Sequence, residues 1–137
     1  MSSLARRWIA VGAILAAIGV GLGAYSAHGL HHLLAEHGFE GDDLARRLNN
    51  FETAVHYQML HSIALVLTGL ALQHRPAKAW RFAAWAFLVG ILLFSGLLKV
   101  LTFAPPAWNW LGAIVPVGGV AMIAGWIALA VGAIRKS

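Results

Sequence analysis

Long apolar runs alternate with short polar joints along this chain, and each run is long enough to cross a bilayer. Arg6 and Arg7 precede an uncharged stretch from Trp8 to Ala27. Twenty helical residues span roughly 30 Å, the thickness of a hydrocarbon core. The stretch is longer than a signal-peptide core, so it is expected to remain as a membrane span. A second run covers about Thr53 to Leu72 and stops at Gln73-His74-Arg75-Pro76, where proline prevents continuation. The third, about Phe82 to Thr102, is interrupted only by Ser95 and Lys99. The fourth, Leu111 to Ile134, closes with Arg135 and Lys136. The pattern predicts an all-α, four-span membrane bundle forming one domain over residues 1–137.

Residues 28–50 form the only long polar segment. Gly38 and Gly41 interrupt it, and Asp42 or Asp43 is placed to cap a new helix. Leu44, Leu48 and Phe51, with Arg46 and Arg47 beside them, predict a short interfacial helix that runs into the second span. Ala104-Pro105-Pro106-Ala107 reads as a short turn, followed by Trp108 and Trp110 as interfacial anchors.

Composition narrows the class further. Hydrophobic residues make up 60% of the chain and charged residues 11%, too apolar for an ordinary water-soluble fold. The net charge of +5 would suggest nucleic acid in a soluble protein. Here the basic residues flank apolar spans, as membrane topology requires, and no nucleic-acid partner is expected. The absence of cysteine excludes disulfides, thiolate metal sites and a cysteine nucleophile. Seven of the ten Lys and Arg residues lie at the N-terminus, the second connection and the C-terminus. The positive-inside rule therefore predicts cytoplasmic termini, in a bacterial inner membrane.

With that orientation the unusual side chains gather in the outer half of the bundle. His28, Glu52, His56 and Lys99 form an expected outer-leaflet polar cluster. Glu52 and His56, four residues apart, share a helix face. Lys99 either snorkels to headgroups or pairs with Glu52. Tyr57, His61 and Thr68 share a different face. His61 lies near mid-bilayer, where a charge costs at least ~2.5 kcal/mol, so it is expected to be neutral and hydrogen-bonded. Tyr57, Thr68 or a helix across the bundle would supply the partner. Tyr57, His61 and Ser95 are the candidate buried polar or ligand-facing residues. Gly19 and Gly23 at a spacing of four, Gly118 and Gly119 after Pro116, and Gly125 are expected to pack helices closely or, at Pro116, to kink one. Glu52 and His56 with His28, His31 or His32 would suit a metal ion, but no recognised ligand motif is present, and neither metal nor cofactor is expected. Phosphate loops, H-E-x-x-H and G-x-S-x-G are likewise missing, so no catalytic residue is assigned.

Four blocks carry a resemblance. Gly23-Ala24-Tyr25-Ser26-Ala27-His28-Gly29-Leu30 is similar to a G-A-F-G-A-H-G-L signature. Phe51-Glu52-Thr53-Ala54-Val55-His56-Tyr57-Gln58, with His61 and Ala64-Leu65, is similar to a second block. Leu93-Phe94-Ser95-Gly96 resembles a third, and Pro116-Val117-Gly118-Gly119 with Gly125-Trp126 a fourth. Together they resemble the domain of unknown function 423 family, whose animal relatives are called transmembrane protein 256. The chain departs from that pattern after Gly96, with Leu97-Leu98-Lys99 where Ser-Leu-Tyr is expected. The resemblance implies a small multi-pass membrane protein and supplies no activity.

Three functions compete. The first is a non-enzymatic accessory or scaffold subunit that packs against other membrane proteins or copies of itself. Another is a homo-oligomeric transporter of protons, cations or small molecules. The third is binding of a membrane lipid or quinone in an outer-leaflet groove lined by Tyr57, His61 and Ser95.

Overall fold

A computed structural model of the chain describes residues 2–134; Arg135 and Lys136, expected to close the fourth span, lie outside them. The first helix, α1 (Ser3–Tyr25), opens with the Ser2 hydroxyl accepting from the Ala5 backbone N–H at 3.2 Å. It does not end at Ala27. A π turn (Ser26–Leu30) carries it into α2 (His31–Glu36). The continuation is held by a second small core, in which Leu30 and Leu34 bury themselves against Phe51.

Gly38 and Gly41 supply the two left-handed conformations, φ 83° and 54°, that turn the chain into α3 (Gly41–His74). Glu40 takes the cap position, so Asp42 and Asp43 fall in the first turn, where they favour the positive helix end. At 34 residues α3 is about 50 Å long, well beyond a bilayer core, and it runs without a break. The segment expected as a short interfacial helix is its first three turns. Arg75, extended ahead of Pro76, ends it.

The third span is built from α4 (Lys78–Gly90), a second π turn (Ile91–Gly96) and α5 (Leu97–Phe103). A 3-10 stretch (Pro106–Ala113) then leads into α6 (Val115–Ile134). Pro116 thus sits in the first turn of α6, where its missing N–H costs nothing, and introduces no mid-helix kink. Each of the four spans is long and apolar enough to cross a membrane.

The helices run up and down around α3. Its inner side packs on α1, α4 and α5, while α6 covers α4 and the second π turn. The main core joins Ala5, Trp8, Leu65, Ala84, Phe87 and Met122. Ile14, Leu67, Phe82, Trp85, Val120 and Ile127 point outward, an apolar surface suited to lipid contact. Gly12 and Gly69 bring α1 against α3: a Cβ on Gly12 would lie 2.7 Å from the Ser62 carbonyl oxygen. Gly118 meets Phe94 and Gly125 the Phe87 ring with similar closeness. Gly19 abuts the flexible Met59 side chain, whereas a Cβ on Gly23 or Gly119 would find ordinary contacts at 3.6 and 3.7 Å.

Candidate functional site

The buried stripe of α3 passes through Arg47, Phe51, Ala54, Gln58, His61, Leu65, Thr68 and Leu72. Three of these side chains reach across to other helices. Arg47 is only 1% exposed. Its Nη1 donates to the Thr102 and Ala104 carbonyls at 2.7 and 3.0 Å, with Leu101 O at 3.4 Å, and its Nε donates to Asp43 at 3.0 Å. The guanidinium lies 3.7 Å from the centre of the Phe39 ring. Arg47 therefore caps the C-terminal carbonyls of α5, which no intrahelical N–H can reach. Gln58, also buried, donates from Nε2 to Leu15 O at 2.8 Å and accepts from Lys99 Nζ at Oε1. One carboxamide thus links α1, α3 and α5.

Lys99 meets Gln58, not Glu52, so the polar cluster expected at the outer end separates into two sets. The reason is angular. Gln58 follows Glu52 by six residues, about 240° around the helix at ~100° per residue. Arg47 and Gln58, eleven apart, fall within about 20° of each other on the same measure. Arg47 was expected beside an interfacial helix and Gln58 only as part of the second sequence block, although continuing the apolar stripe of Leu72, Leu65, Ala64 and Ala54 backwards at 3–4 spacing passes through both.

His61, 4% exposed, has both ring nitrogens engaged. Nδ1 faces the Tyr57 carbonyl at 2.8 Å, and Nε2 accepts from the Trp126 indole N–H at 3.2 Å. A carbonyl requires a donor and an indole N–H requires an acceptor, so these contacts define the neutral Nδ1–H tautomer. Thr68 bonds instead to Ala64 O at 2.7 Å. Around His61 the rings of Tyr57, Phe94, Phe87 and Trp126 pack with centroids 4.7–6.1 Å apart. Tyr57, His61, Phe94 and Trp126 line a groove of about 400 Å³ between α3 and α6, completed by His56, Leu60, Gly119, Met122 and Ile123; Phe87 is fully buried and does not line it. Tyr57 is 38% exposed, and among the described residues its hydroxyl has no hydrogen-bond partner.

Ser95 does not line that groove. It is fully buried in the second π turn, and among the described residues its hydroxyl has no hydrogen-bond partner. Ser62, Thr68 and Thr102, in α-helical turns, each bond to the carbonyl four residues back. The wider register of the π turn moves that carbonyl away from Ser95.

A second groove, of about 480 Å³, lies between α1 and α3. Glu52, His56 and Ser26 line it with Gly23, Ala27, Val55 and Met59. His28 is exposed on the π turn and does not line this groove. Among the described residues no three His, Asp or Glu side chains are grouped to hold a metal ion.

Four bilayer-length helices with apolar outer faces and cross-linked inner polar groups define a multi-pass helical membrane protein. The chain belongs to the family described as Protein of unknown function (DUF423), whose profile matches residues 22–119. This is the family indicated by the four sequence blocks. The chain is 39% identical over 117 residues to a UPF0382 membrane protein of Haemophilus influenzae, covering 85% of each protein. It is 39% identical over 129 residues to the UPF0382 membrane protein YwdK of Bacillus subtilis, covering 93% of this chain and 96% of the relative. A third relative, the UPF0382 membrane protein SH2409 of Staphylococcus haemolyticus, is 34% identical over 122 residues, 89% of this chain and 90% of the other. No solved structure matches the chain. In space, the first two blocks meet across the α1–α3 groove, and the last three meet across the α3–α6 groove.

Proposed function

We propose that the chain is a non-enzymatic module of the bacterial inner membrane, with cytoplasmic termini, that holds a quinone-class amphiphile in the α3–α6 groove. The observation that carries this reading is Tyr57: a half-exposed phenol with an unengaged hydroxyl, set in a wall of aromatic rings. A flat ring bearing carbonyl oxygens would stack on those rings and accept from the phenol, while an apolar tail follows Leu60 and Ile123 into lipid. Arg6, Arg7, Arg75, Lys78 and Arg81 gather at the end of the bundle that holds the N-terminus, which supports the cytoplasmic assignment. The test is titration of the protein in nanodiscs with a short-tailed quinone, read by tryptophan fluorescence. Tyr57→Phe should weaken binding about 5–10-fold, the value of one hydrogen bond near 1–1.4 kcal/mol. An affinity unchanged by Tyr57→Phe refutes the site.

One observation favours a scaffold role as a second reading. The α1 helix rests chiefly on α3 and leaves Ala10, Ala13, Ala17, Gly21 and Ala24 exposed along one side. Such a face lets another helix approach closely. Cysteines at Ala17 and Gly21 should cross-link to a partner in native membranes; a cross-link-free monomer at native expression counts against it. Proton carriage by His61 draws no support from the geometry, because both its nitrogens are engaged.

A further inference from the structure

The α1–α3 groove contains a carboxylate that the bundle leaves without a cation. Lys99 turns to Gln58, and among the described residues Glu52 has no ion-pair partner. Glu52 does not stand alone in the groove: His56 lies one helical turn along the same face, and Ser26 faces it from the π turn of the first span. A carboxylate, an imidazole and a hydroxyl are three acceptors, the number that suits the three N–H donors of a primary ammonium. The groove is also graded along its length. Glu52, His56 and Ser26 occupy the end away from the N-terminus, while Met59 and Gly23 lie deeper toward mid-membrane. Polar acceptors above and apolar walls below match a lipid with its head at the interface and its chains in the core.

We infer that this groove is a headgroup site for a lipid bearing a primary ammonium, of the phosphatidylethanolamine type. The ammonium sits between Glu52, His56 and Ser26, and the glycerol and upper acyl carbons lie along Val55, Met59 and Gly23. Coulomb attraction at the edge of the low-dielectric core makes Glu52 the dominant contact, and the N–H count supplies the selectivity.

The experiment is native mass spectrometry of the full-length protein taken from nanodiscs holding equal amounts of phosphatidylethanolamine, its N-methylated derivatives, phosphatidylcholine and phosphatidylglycerol. The expected result is one retained lipid per chain, with retention falling stepwise as N–H donors are replaced by methyl groups, and at least fivefold lower for phosphatidylcholine. Glu52→Gln should cut phosphatidylethanolamine retention at least fivefold and Ser26→Ala about twofold. The methylation series needs no substitution, so it decides the matter even if a variant folds poorly. Equal retention of phosphatidylcholine, or full retention by a folded Glu52→Gln protein, overturns the inference. So does Glu52-dependent binding of soluble ethanolamine to protein in phosphatidylglycerol nanodiscs with affinity equal to the lipid's, which would assign the site to a free amine. Quinone titration should be unaffected by Glu52→Gln, so this site and the α3–α6 groove can fail separately.

Discussion

Replacing Arg47 by methionine keeps the packed stem and removes the guanidinium from the end of α5. Two carbonyl bonds are of full strength, to Thr102 O at 2.7 Å and Ala104 O at 3.0 Å; the contact to Leu101 O at 3.4 Å is at the limit of bonding. At ~1.5 kcal/mol each, the low end for a charged donor, the two bonds contribute about 3 kcal/mol. Arg47→Lys should lose roughly half of that, because an ammonium is a single point and cannot fork across successive carbonyls. Arg46→Met is the control: Arg46 is half-exposed and bonds only to Asp43 among the described residues, so its loss should be several-fold smaller. Equilibrium unfolding in mixed SDS and mild-detergent micelles measures all three. If Arg47→Met is no more damaging than Arg46→Met, the capping role is wrong.

Further outcomes follow from other contacts. Gln58→Leu removes two interhelical bonds and should cost ~2 kcal/mol, with coupling to Lys99→Met of about 1 kcal/mol in a double-mutant cycle. Glu52→Gln and Lys99→Met should instead be additive in the same unfolding assay; coupling between them would restore the ion pair that the geometry denies. Gly118→Ala places a methyl 2.9 Å from Phe94 Cβ and should cost ~1–3 kcal/mol, whereas Gly119→Ala, with its first contact at 3.7 Å, should be near neutral by thermal melting. Trp126→Phe deletes the donor to His61 Nε2 and should shift that nitrogen's NMR resonance while Nδ1 stays protonated. A doubly protonated His61 in the parent protein would contradict the tautomer.

The four spans were legible because length and apolarity alone decide whether a segment can cross a bilayer. Their ends were less so. The first span was expected to end at Ala27, where the polar segment begins, yet Leu30 and Leu34 gain a core against Phe51 that carries the helix on to Glu36. Hydrogen bonding at His61 was expected from its depth, but Trp126 as the partner depends on how α6 crosses α3. Glu52 and Lys99 belong to the same leaflet, and that is where their likeness ends. The π turn at Ile91–Gly96 adds a residue within a turn and rotates everything after it by ~100° relative to a plain helix. Periodicity read from sequence carries no sign of that rotation, so Lys99 could be placed in depth and not in direction. Arg47 was hidden differently: a basic residue beside Arg46 reads as solvated, and only its register with Phe51 and Gln58 marks it as buried.

The groove at Tyr57 is tested most directly by photolabelling. A quinone carrying a ring-borne photoreactive group, activated in nanodiscs containing the protein, should label Tyr57, Phe94, Gly119 or Trp126, the residues of the α3–α6 groove. Excess unlabelled quinone should remove the label, and excess acyl lipid should not. Labelling spread evenly over lipid-facing residues such as Ile14, Leu67 and Ile127, or equal displacement by acyl lipid, would contradict a quinone site there.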